Sequence, residues 1–205
     1  KYMDNYKNIW DLMINNSTVA PTELANGGFD ANEEFATGKA VFYSQGNWEW
    51  SSLEGKGMKA EDLTMIPYYC GVEGEEKAGL NCGTENYWAV NSEASKADQK
   101  ATLDFLKWVV TSEKGTTALA EDMGFVSPFK KAKDVDNVLC NIMNQYVADG
   151  CYNVSWAFNY TPNVDTWRAG VVDAMAAYSA GTGEWDAVKT AFVDGWAEQY
   201  TRSKQ

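Results

Sequence analysis

Residues 36–51 read Ala36-Thr37-Gly38-Lys39-Ala40-Val41-Phe42-Tyr43-Ser44-Gln45-Gly46-Asn47-Trp48-Glu49-Trp50-Ser51. Just upstream, Asp30-Ala31-Asn32-Glu33 has the form of a capping box. Asp30 would accept from early backbone N–H groups, and Glu33 would reach back. The spacing predicts a short helix through Phe35 that stops at Gly38. Lys39 to Ser44 then predicts a buried strand, and Gln45 to Trp50 a loop. Ligands commonly approach α/β sheets at strand ends, on loops that a rigid scaffold positions. Trp48, on a Gly-containing loop at such an end, is therefore the first candidate for a binding role.

Further strands are expected at Asp62 to Tyr69 and at Tyr87 to Val90, with a charged loop from Gly71 to Gly79 between them. Helical spacing covers Tyr2 to Met13, Lys96 to Val110, a short stretch from about Ser112 that ends before Gly124, and Val135 to Val147. Gly150 to Asn163 reads as irregular and aromatic-rich. Two final helices follow. One carries Val164, Trp167, Val171, Val172, Met175 and Tyr178; the other carries Trp185, Val188, Phe192, Trp196 and Tyr200. The order suggests an α/β arrangement with a small sheet and a helix-rich C-terminal half.

The composition narrows the function. The chain has 205 residues, a net charge of −12 and no His. Such a charge repels phosphate backbones, so no nucleic-acid partner is expected. Without His, Ser-His-Asp and Cys-His catalysis and His-ligated zinc are excluded. No apolar run approaches the ~18 residues a membrane span needs. The chain is expected to be soluble as given, with any export signal or lipid anchor on a longer precursor. Cys70, Cys82, Cys140 and Cys151 contain no CxxC pair. They suit two disulfides of an exported protein, with Cys70–Cys82 and Cys140–Cys151 the favoured of three connectivities, or else four free thiols.

The opening stretch, read as "Phe, x, x, Gly-Lys, small, apolar strand, then Gly-x-Trp", resembles the extracellular solute-binding proteins of carbohydrate ABC transporters, the maltose-binding-protein-like group. Gly46-Asn47-Trp48-Glu49-Trp50-Ser51 is similar to that group's Gly-Pro-Trp-x-Trp-Ser loop, with Asn47 where Pro is common. Later stretches follow in the family's order: Met65-Ile66-Pro67, Gly83 to Val90, Ala101 to Glu113, Gly124 to Pro128, and the final helix pair. The resemblance implies a type II periplasmic-binding-protein-like fold of which this chain is the C-terminal portion. Residues 1–93 would form helices and the small sheet of the C-terminal lobe. Residues 94–130 would be a helix pair that packs on the family's N-terminal lobe, which is missing from this chain. Residues 131–205 would complete the C-terminal lobe.

The implied function is capture of a carbohydrate between two lobes and its delivery to ABC permease subunits. No bond is broken and no cofactor or metal is implied. The implied location is the extracellular face of the cell membrane or the periplasm. Aromatic faces cover the C–H patches of a sugar, while amides, carboxylates and backbone groups satisfy its hydroxyls. On that chemistry the candidate ligand-binding residues are Gly46, Asn47, Trp48, Gly83, Thr84, Glu85, Asn86, Tyr87 and Trp167. The resemblance places a sugar-stacking Trp at Trp48 and a second stacking aromatic near Trp167, which equally suits a buried helix face. Trp50 is as suited to a core as to a site. Trp156, Tyr160 and Phe29 are weaker candidates, and Trp10, Trp108, Trp185 and Trp196 read as helix packing. Two alternatives stand beside this reading: a peptide or polyamine ligand on the same scaffold, and a two-carboxylate glycosidase, for which the sequence marks no second catalytic carboxylate to work with Glu49 or Glu85.

Overall fold

The computed structural model describes residues 1–83 and 87–205, with backbone alone at 24–26. In chain order its regular elements are α1 (Met3–Asn15), α2 (Ala31–Ala36), α3 (Trp50–Gly55), β1 (Ala78–Asn81), α4 (Lys96–Thr111), α5 (Glu113–Thr117), α6 (Val138–Ala148), β2 (Tyr152–Val154), α7 (Val164–Ser179) and α8 (Trp185–Arg202). The chain divides into two units. One comprises Lys1–Tyr43, Pro67–Cys82 and Tyr152–Gln205; the other comprises Ser44–Ile66 and Gly83–Cys151.

In the first unit the amphipathic stripes of α7 and α8 close on each other. Val171, Met175, Trp185 and Val188 are buried between them, Val188 completely. Burying a side chain of that size contributes about 1.5–3 kcal/mol. The turn joining the two helices is tight. Gly181 has φ +71°, and a Cβ on Gly183 would stand 3.0 Å from the Ala177 methyl. Met3, Tyr6 and Trp10 bring the apolar face of α1 onto this core. Tyr6 meets Phe192 edge-on at 5.5 Å, and the Trp10 indole N–H donates to Ser179 Oγ at 3.0 Å. Asn5 Nδ2 donates to the Cys70 carbonyl at 2.9 Å, tying α1 to the Pro67–Cys82 segment. At the start of α2 the Glu33 N–H donates to Asp30 Oδ1 at 3.0 Å, the cap expected there. β1 and β2 pair in parallel, with Ala78 opposite Tyr152 and Asn81 opposite Val154.

In the second unit, Ser95 Oγ accepts the Asp98 N–H at 3.2 Å and starts α4. Ser112 Oγ accepts the Gly115 N–H at 3.0 Å and starts α5. Gly115 has no room for a side chain, since a Cβ would lie 2.3 Å from the Val109 carbonyl oxygen. α5 continues into a π-turn at Ala118–Asp122 that buries Leu119 and Ala120. Trp50, Leu53, Leu139 and Cys140 are also buried in this unit. α4 contributes no buried residue among those described. Its Leu103, Phe105 and Trp108 are exposed, with Phe105 and Trp108 stacked at 5.9 Å.

Two expectations need correction. The stretches 39–44, 62–69 and 87–90 carry no ladder among the described residues; the sheet is instead built from 78–81 and 152–154, within stretches read as loop or irregular. Val41 and Phe42 are about four-fifths exposed (78% and 80%) rather than buried. An apolar run becomes a strand only where another strand offers it hydrogen bonds, and that partner is set by tertiary structure rather than local sequence. All four cysteines, each of them described, are free thiols instead of two disulfides. For Cys140 and Cys151 the reason is geometric. The Cys151 N–H donates to the Tyr146 carbonyl at 3.0 Å. From Cys140 to Tyr146 the helix climbs about 9 Å at ~1.5 Å per residue, beyond the ~7 Å that a disulfide spans between Cα atoms. Burial pushes the Cys70 and Cys82 thiols above their ordinary pKa, with Glu75 adding to the effect at Cys70.

Candidate functional site

The Gly46-Asn47-Trp48 loop forms a single 3-10 turn, Asn47–Glu49, that runs into α3. The Glu49 N–H donates back to the Gly46 carbonyl at 3.1 Å. α3 is anchored by Trp50 and Leu53, 8% and 2% exposed, so Trp50 is a core residue and points its bulk away from solvent. Trp48 does the opposite and is 57% exposed. Its six-membered ring covers Gly46 so closely that a Cβ there would come within 2.3 Å of it. Glycine is thus required at 46 by the indole above it; φ at Gly46 is −115°, a value any residue adopts. A large apolar surface held against backbone and open on other sides is the form that stacking on a sugar or other flat apolar group requires.

Asn47 turns inward. Its Nδ2 donates to Cys140 Sγ at 3.1 Å. Its carbonyl accepts from Asn137 Nδ2 at 3.0 Å. Asn137 is itself buried and caps α6, its Oδ1 accepting the Leu139 and Cys140 N–H groups at 2.9 and 3.3 Å. The loop bearing Trp48 is therefore fastened to the first turn of α6. Asn47 serves as a structural contact here, with its amide occupied by a thiol. Sequence reasoning did not single out Asn137. Its signal was an Asn immediately before the apolar start of a helix, an ordinary N-cap pattern.

Beside this fastening lies a depression of about 230 Å³ between residues 126–135 and α6, lined by Ser127, Lys133, Asp134, Cys140, Asn141 and Asn144 among others. Lys133 Nζ there donates to the Thr117 hydroxyl and lies 3.8 Å from Glu121.

The remaining candidates are distributed over both units. Gly83 and Tyr87 belong to the unit that carries Trp48, and Tyr87 is 67% exposed. Thr84, Glu85 and Asn86 lie outside the described residues. Trp167 belongs to the other unit. It is half-buried, its indole N–H donates to the Phe192 carbonyl at 3.2 Å, and its ring meets Phe192 edge-on at 5.6 Å. The polar group of the Trp167 ring is thus already satisfied, and the ring packs against α8. Trp156 packs on Phe158 at 5.8 Å, while Tyr160 and Phe29 are exposed. Trp108, expected to pack, is exposed on α4, whereas Trp185 is buried. Within the acidic run, Glu75 accepts the Gly71 and Val72 N–H groups and so shapes a turn. Among the described residues no group of three or more His, Cys, Asp or Glu could hold a metal ion, and no helix is long and apolar enough to cross a membrane.

The family of bacterial extracellular solute-binding proteins matches residues 3–150. No curated protein and no solved structure matches the chain. The match covers the helix-and-loop framework from α1 to the end of α6, including the Trp48 loop and its fastening. The chain belongs to the bacterial extracellular solute-binding proteins, binding components of ABC transport that work outside the cytoplasm, hold a ligand and meet transporter permeases.

Proposed function

We infer that the captured solute is a carbohydrate and that Trp48 is the platform on which it stacks. The observation that carries this reading is the Trp48 indole, open to solvent, seated on Gly46 and fixed through Asn47 to α6. A rigid aromatic face contributes stacking area at low entropic cost, and amide and hydroxyl groups around such a face would satisfy a sugar's hydroxyls. Gly83, Tyr87 and the segment Thr84-Glu85-Asn86 belong to the same proposed site. The second wall of the cleft is the family's N-terminal lobe, and the exposed Leu103, Phe105 and Trp108 of α4 suit a surface that another body covers. Closure of the two lobes over the sugar would expel water and present one closed form to the permease. Attachment to the outer face of the membrane through a longer precursor completes the reading.

A thermal-shift panel of oligosaccharides, peptides and polyamines on the two-lobe protein tests it, because a ligand that binds the native state raises apparent stability. Stabilisation by oligosaccharides alone is expected. Trp48→Ala should then cost ~2–4 kcal/mol of sugar binding by calorimetry. Stabilisation by peptides or polyamines instead would replace the carbohydrate assignment, and release of shorter sugars on long incubation would point to hydrolysis.

A further inference from the structure

Asn137 and Asn47 are ninety residues apart in sequence, yet they share one hydrogen bond, Asn137 Nδ2 to the Asn47 carbonyl at 3.0 Å. The other end of the same amide caps α6, with Oδ1 accepting the Leu139 and Cys140 N–H groups. Asn137 is buried, so neither end is readily replaced by water. A second tether runs beside it, from Asn47 Nδ2 to Cys140 Sγ at 3.1 Å. Both tethers end on the residue that lies between Gly46, the seat of the indole, and Trp48 itself. Each of the three backbone positions of the loop is therefore held: Gly46 by the ring, Asn47 by the amide and thiol, and Trp48 through its neighbours.

We propose that Asn137 is the positioning residue for Trp48, its amide N–H setting the orientation of the indole through the Asn47 carbonyl. This rests on the reading of Trp48 as the ligand platform, but the contact itself can be tested without any ligand. The two ends of the Asn137 side chain have different jobs, and chemistry separates them. Asn137→Asp keeps an oxygen that caps α6, since Asp and Asn are equally good N-caps, and it removes the N–H that the Asn47 carbonyl accepts. Asn137→Ser likewise keeps a capping oxygen, and its short hydroxyl replaces the amide arm.

The experiment labels the protein with 5-fluorotryptophan and records fluorine spectra of the parent and of both variants. The Trp48 signal is assigned by its disappearance in Trp48→Phe. The expected result is a shifted or broadened Trp48 signal in both variants, with the signals of the other eight tryptophans in place and a modest fall in melting temperature from the Asn47 carbonyl left unpaired. An unmoved Trp48 signal in both variants overturns the proposal. So does movement of all nine signals together with a large fall in melting temperature, which would make Asn137 a general structural residue. Failure of the carbohydrate reading shows elsewhere, as unchanged sugar binding by Trp48→Ala, so the two failures are distinguishable.

Discussion

Gly46 is bare because Trp48 occupies the volume that a side chain would need. A methyl there would overlap the indole at 2.3 Å, far inside van der Waals contact. Gly46→Ala must therefore displace the ring, since the Asn47 backbone below it is tethered to Asn137. The expected cost is about 1 kcal/mol or less, because the exposed ring can swing aside without straining a core. It is read as a lower urea midpoint, accompanied by weaker binding of whichever solute the panel selects. Full affinity in Gly46→Ala would separate the indole's seat from its function. At this scale Trp48 stood out in the sequence as a Trp two residues after a Gly in a polar loop, and the structure leaves its ring exposed. Asn137 was not legible as a partner of that loop. Its capping pattern is local, but its second hydrogen bond crosses ninety residues of chain, and no local pattern encodes such a meeting.

Elements whose signals are local were readable, and those whose signals are non-local were not. The caps at Asp30, Ser95 and Ser112 lie within a few residues of the N–H groups they receive. The helices they begin could be placed from sequence spacing. The β1–β2 ladder joins residues more than seventy positions apart, and its strands, Ala78–Asn81 and Tyr152–Val154, are too short to show alternation. α4 illustrates a further limit. Periodicity located the helix, but periodicity does not say what covers its apolar residues, and Leu103 is more than half exposed (55%). Leu103→Gln should accordingly change the stability of this chain by no more than ~0.5 kcal/mol, the range of ordinary surface substitutions. A loss above 2 kcal/mol in urea unfolding would mean that the face is covered.

The contact between α1 and α7 yields a pH prediction. The Tyr178 hydroxyl donates to Asp11 Oδ1 at 2.7 Å, and Lys7 Nζ lies 2.5 Å from Asp11 Oδ2. Burial alone would raise the Asp11 pKa, but the bonds from Lys7 and Tyr178 outweigh it and hold the carboxyl below its ordinary value. A depressed folded-state pKa means that the unfolded chain takes up the proton first as pH falls. The stabilisation is therefore complete above the ordinary carboxylate pKa and is lost as pH drops through the lower, folded-state value. Asp11→Ala should cost ~1 kcal/mol at pH 7, given partial exposure. The gap between parent and variant urea midpoints should close in strong acid. A gap that persists there would assign the loss to packing.

The whole molecule has buried apolar residues in each of its two units, and this sets how it should come apart. Val188 is 0% exposed in the core of the first unit, with Val171, Met175 and Trp185 around it. Leu139, in the first turn of α6, is 4% exposed in the second. Removing two methyl groups from Val188 should cost ~2–3 kcal/mol, because a site that tight relaxes only partially. Leu139→Ala should cost ~2–5 kcal/mol for the same reason. Proteins open in cooperative units, each with its own free energy. If the two units here are such bodies, Val188→Ala lowers hydrogen-exchange protection in α7 and α8 and leaves α6 protected. Leu139→Ala then does the reverse, and also loosens the Trp48 loop, because Asn137 and Cys140 hold that loop from the same turn of α6. Native-state hydrogen exchange with peptide-level mass spectrometry reads both patterns. Equal loss of protection in both units from either substitution would show that they unfold as one body, and the Trp48 loop would then owe its order to the whole chain rather than to α6.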